Sequence, residues 1–142
     1  MKKTWIPISL LCVLALCVGL WAAGHRDPQA RTEAQFNADL PQLEAAAQAL
    51  LAGEPAQIPP GWDGEVWGNG VCFELGGWGL GSSTSYWGVS YIPEDYPVGF
   101  QGLSLAGSPQ EGEGWLWREA KGDNRCYGEK LAPCWYYWKM EF

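Results

Sequence analysis

The run Ile6–Ala23, IPISLLCVLALCVGLWAA, has no charged residue in 18 positions and lies just behind Lys2 and Lys3. A helix begins to span a bilayer at ~17 apolar residues, with ~20 typical. A backbone in hydrocarbon must satisfy its own hydrogen bonds, so this run is predicted to be a transmembrane helix. Trp5 and Trp21 flank it where indoles favour the headgroup layer. The two lysines place the N-terminus in the cytoplasm, which puts everything after Gly24 outside. The rival reading is a secretory signal cut near Ala22-Ala23-Gly24, giving a secreted chain. Its basic start and small residues fit, although an apolar middle of ~7–15 residues is usual. Cys12 and Cys17 lie inside the run and read as small apolar residues.

The chain beyond the leader is long enough for one small domain with one core. All 16 acids but only six of the nine bases lie beyond residue 26, a formal charge of −10 from six bases against 16 acids. Such a domain repels phosphate backbones, which argues against a nucleic-acid partner. An anionic lipid face would repel it as well. Basic peptides or divalent cations are better tolerated, and acidity by itself keeps a domain soluble.

Asp27-Pro28 reads as an N-cap followed by proline at the first helical position. Phe36, Leu40, Leu43, Ala47 and Leu50 then recur at helical spacing, an apolar stripe that predicts one amphipathic helix ending near Gly53. Pro41 falls within the stripe without shifting its phase, which favours one helix kinked at Pro41 over a second helix capped by Asp39. Residues 54–61 hold three prolines and read as a linker. The domain plan is therefore 1–24 anchor or signal, 25–53 stalk or amphipathic helix, 54–61 linker and 62–142 β region.

From Trp62 the composition turns to Gly, Trp, Tyr, Val and Phe, residues of strands and turns. Val71, Phe73 and Leu75 alternate, and Gly76–Ser83 reads as a glycine-rich connection. Thr84–Ile92 is a second strand, and Phe100–Leu105 a short third. Trp115–Lys121 and Arg125–Gly128 flank a turn. In Trp135–Phe142 the side chains of Tyr136, Trp138, Met140 and Phe142 line one face, with Lys139 and Glu141 on the other. Sequential strands joined by short loops pair antiparallel. The expected fold class is α+β: an antiparallel sheet of four to six strands covered on one face by the amphipathic helix.

Little here supports catalysis. The one histidine is His25, beside the leader, so a Ser–His–acid site has no base in the domain. Carboxylate pairs such as Asp63 with Glu65, or Glu74 with Asp95, allow a hydrolase as an unfavoured alternative. No C-x2-C pair suggests zinc, and Glu94-Asp95 and Glu111/Glu113 do not follow an EF-hand loop. The glycines from Gly76 to Gly81 precede a strand, not the helix a phosphate loop needs. No cofactor is expected. Cys126 and Cys134 are the candidate disulfide, eight positions apart across a loop in an oxidising compartment. The tryptophans carry the most specific expectation. Trp62, Trp67, Trp78, Trp87, Trp115 and Trp117 are candidate ligand-contact aromatics, since one helix covers only one sheet face and exposed indoles stack on sugars or grip peptides.

The MKK start, the single apolar run, the short helix and the aromatic end WYYWKMEF resemble, as a layout, the small single-pass membrane-anchored proteins of bacteria. That resemblance implies a membrane location and attaches no activity to any residue. The expectation is a non-catalytic interaction module outside the membrane, meeting a protein or a glycan at the cell surface.

Overall fold

The structure is a computed structural model and describes residues 27–142. The expected anchor lies outside the described residues, and no helix among them is long and apolar enough to cross a membrane. Helix α1 spans Pro28–Leu51 without a break at Pro41. Asp27 caps it as the sequence predicts, its Oδ1 accepting from the Gln29 backbone N–H at 3.1 Å. The C-terminus closes on Gly53, whose φ of +71° is the left-handed region. There the Glu54 N–H reaches the Ala49 carbonyl at 2.9 Å and the Gly53 N–H the Leu50 carbonyl at 3.0 Å. This crossed pair satisfies two carbonyls that the helix end would otherwise leave unbonded.

Seven strands come after the helix, not four to six: β1 Asp63–Trp67, β2 Gly70–Leu80, β3 Ser83–Tyr91, β4 Gln110–Glu111, β5 Gly114–Arg118, β6 Arg125–Ala132 and β7 Trp135–Glu141. They form one sheet in the order β1-β2-β3-β7-β6-β5-β4, with every neighbouring pair antiparallel. The last strand is thus central, inserted between β3 and β6. Gly76–Leu80, expected as a connection, belongs to β2. The glycines there permit close strand approach: a Cβ on Gly79 would lie 2.3 Å from the Ser83 carbonyl oxygen, and one on Gly77 would lie 2.7 Å from the Tyr86 ring. Only Gly81-Ser82 remain as the turn. Phe100–Leu105, expected as a strand, is instead a 3-10 turn at Phe100–Gly102 with a single bridge between Val98 and Ser104. Gln101 at φ +52° breaks the extended path.

Side chains at paired positions share a face, so the register sorts the sheet. On the helix face, Trp135 is packed by the rings of Phe36, Phe73 and Tyr91 at 5.3, 6.0 and 5.1 Å. Leu43, Ala46 and Ala47 complete that core from α1 and Val71 and Val89 from the sheet, so helix and sheet share one core. On the other face lie Tyr136, Trp138 and Met140. The segment between β3 and β4 crosses this face, with Ile92 and Val98 on Tyr136 and Leu105 on Cys126 and Met140. Phe100 stands over Trp138 at 5.2 Å. Asp95 latches the segment down, its carboxylate accepting from Lys130, the Cys134 N–H at 2.8 Å and the Tyr136 hydroxyl at 2.9 Å.

The Cys126–Cys134 bridge is not formed: both are free thiols. Cys126 sits near the start of β6 and Cys134 in the turn after its end. Six extended residues from Cys126 to Ala132 span ~20 Å, whereas a disulfide needs Cα atoms within ~7 Å. Cys126 is fully buried, and burial pushes its thiol up to about 11.

Candidate functional site

The six candidate tryptophans do not share a surface. Trp62 is buried under α1, where its indole N–H donates to Asp39 Oδ2 at 2.9 Å. Trp67, paired with Gly70, and Trp115 and Trp117, paired with Gly128 and Cys126, lie on the face the crossing segment covers. There Trp67 meets Phe100 edge-on at 5.5 Å, Trp115 meets Tyr136 at 6.3 Å, and Trp117 packs on the Leu105 cluster. These three rings are half-buried and spend one side of their area packing against the covered face. Trp87 and Trp78 differ. Trp87 pairs with Lys139 and Trp78 with Ser85, both on the helix face but beyond the part α1 covers.

That uncovered end is the candidate site. The helix starts over β6, where the Gln29 side-chain amide donates to Glu129 at 2.9 Å, and runs toward β2, leaving the far end of every strand open. Six strands contribute to it, β4 through Glu111. Leu116 and Arg118 come from β5, Arg125 and Tyr127 from β6, and Lys139 and Glu141 from β7, lining a cleft of about 320 Å³. Asp27 and Gln29 close it from the helix start. Beside it stand Ser85 and Trp87 of β3, then Trp78 and Leu80 of β2.

The charges in the cleft are paired. Glu141 accepts from Arg125 and from Lys139, the latter at 2.9 Å, and Arg118 lies 3.9 Å from Glu111. Burial raises the Glu141 carboxyl, but its hydrogen bonds from Lys139 and Arg125 outweigh that and hold it below its usual range. The Tyr127 and Tyr137 hydroxyls are pushed up by burial, Tyr127 further by its bond to Glu129 and Tyr137 by Asp27. Both therefore stay protonated at neutral pH; Tyr127 already donates its hydroxyl to Glu129. The result is a shallow polar surface with an aromatic margin, suited to holding a ligand by hydrogen bonds and ring contact.

The carboxylate pairs are placed differently. Asp63 and Glu74 are register partners beside Glu65 on the β1–β2 edge, and burial followed by the two neighbouring carboxylates raises Glu74. Asp95 is committed to its latch. No group of three metal-binding side chains occurs among the described residues.

Sequence reasoning does not single out the cleft residues Arg118, Arg125, Tyr127, Lys139 and Glu141. Their one signal is the off-beat of the β7 alternation, where Lys139 and Glu141 mark a face that is wet at one end. No protein-family model matches the chain, and no curated protein or solved structure matches it.

Proposed function

We propose that this chain is a non-catalytic interaction module, held outside a cell membrane by its apolar leader and binding through the open end of its helix face. One observation carries the reading. The crossing segment covers one sheet face, α1 covers half of the other, and the remaining half collects Arg118, Arg125, Tyr127, Lys139, Glu141 and Trp78 on one surface. A face left open by its own chain, with polar groups converging beside exposed indole, is where a partner gains contact area.

The test uses intact cells. Full-length protein should pellet with membranes, resist a carbonate wash, and lose a C-terminal tag to protease added outside. Mature chain beginning near His25 and free in the medium, or a tag protected by the cytoplasmic membrane, overturns the reading.

A glycan ligand is the second reading, favoured by Trp78 and Trp87 sharing the open end. Titration with wall saccharides should shift tryptophan emission in the millimolar range and lose that shift in Trp78→Ala. No shift in the parent protein removes it.

A further inference from the structure

Trp78 and Leu80 are 73% and 84% exposed, two positions apart on one face of the β2–β3 hairpin tip. Val66, at 43%, is the only other exposed large hydrophobic side chain among the described residues. Water-facing domains seldom keep two such side chains together without a use for them.

The path of the chain says what they meet. Asp27 lines the open cleft on β6 and β7, three strand spacings or ~14 Å from β2. Only Gly24, His25 and Arg26 separate it from the apolar run that ends at Ala23. Those four backbone steps reach at most ~14 Å, while the headgroup layer is itself ~5–7 Å deep on each side. An anchored chain therefore holds this corner of the domain against the lipid. Charge agrees. Arg118, Lys121, Arg125 and Lys139 are four of the six bases beyond residue 27, and all lie at this end, where Asp27, Glu111, Glu119, Asp123 and Glu141 nearly balance them. In a domain of −10, this is the surface that repels lipid least. Its alternating signs suit phosphate and ammonium together.

We propose that the β2–β3 hairpin tip is a membrane-seated prong: Trp78 and Leu80 enter the headgroup layer of a zwitterionic bilayer beside the anchor. The domain then lies on its open end and does not swing free. This rests on the anchored reading above and names the lipid surface as the partner of that end. Indole prefers this depth, and Leu80 supplies the apolar contact below it.

Full-length protein is reconstituted into phosphatidylcholine–phosphatidylethanolamine vesicles with brominated acyl chains, and the quenching of tryptophan emission is read. Trp78→Ala should remove about a third of the quenched emission, one indole of three at headgroup depth with Trp5 and Trp21. Leu80→Asp, with Trp78 retained, should produce most of that loss while leaving the urea midpoint unchanged. Quenching that is identical in the parent and both variants overturns the prong and leaves the anchor standing. No quenching in any of them overturns the anchor and the prong with it. A Trp78 contribution that develops only after anionic lipid is added overturns the zwitterionic partner.

Discussion

The two faces of the sheet are built from the same alternating strands but finished differently. One is covered over its centre by a crossing segment from the sheet's own loops, with Val98, Phe100 and Leu105 set on Tyr136, Trp138 and Met140. The other is covered by a helix that stops short, so the same strand β7 goes from fully buried Trp135 to the half-exposed Lys139 and Glu141 along one face. Coverage, not composition, decides whether an aromatic here is core or contact surface. Trp135 and Trp78 are chemically one residue at two ends of this gradient.

The strongest way to break the comparison is at the covered end of the helix face. Trp135→Ala removes a buried ring that touches Phe36, Phe73 and Tyr91. It should cost about 3–5 kcal/mol by urea denaturation. On the opposite face, Leu105→Ala should cost about 2–4 kcal/mol. Leu105 is fully buried, and Gly128 is kept bare beneath it: a Cβ there would fall 2.3 Å from its methyl group. Amide exchange separates the two losses. Leu105→Ala should free residues 97–105 while α1 stays protected, and equal loss in both would mean the faces are not independent.

The split between what is legible in the sequence and what is not runs along the same line. Tyr136, Trp138, Met140 and Phe142 declare a common face through period two, and the Asp27-Pro28 start and Phe36–Leu50 stripe declare the helix. Both signals are local. The insertion of β7 between β3 and β6 leaves no local trace, because any antiparallel edge offers the same hydrogen bonds. Gly76–Leu80 reads as a loop by propensity, and only its partner Ser83–Trp87 makes it a strand. The Cys126–Cys134 pair looks close because its sequence separation is short. An extended β6 turns that separation into distance. The cleft draws on β4, β5, β6, β7 and the helix start, so no single stretch of sequence contains it.

A smaller effect tests the latch that holds the crossing segment. Hydrogen bonds from Lys130, the Cys134 N–H and Tyr136 hold the Asp95 carboxyl below its usual range. The folded state therefore takes up this proton less readily than the unfolded chain. The latch contributes fully above about pH 4 and is lost as the pH falls through the lowered folded value. Asp95→Ala should lower the thermal midpoint at pH 7 and flatten its decline between about pH 4 and pH 2. A variant that keeps the full acid decline would assign that slope to Glu141 instead, at the open end.

The smallest expected effect is the most discriminating. Trp78→Ala and Leu80→Ser each delete a large apolar side chain, yet stability should move by no more than about 0.5 kcal/mol, as for other surface positions. Folding gains nothing from these side chains because water already surrounds them at 73% and 84% exposure. Truncating the equally large Trp135 is expensive because its contacts are internal. If urea denaturation showed Trp78→Ala to be as costly as Leu105→Ala, the hairpin tip would be packed in solution and the helix face would be closed at both ends. A near-zero cost leaves the tip free for a partner: two apolar side chains that fold the domain no better are kept at the open end of the helix face.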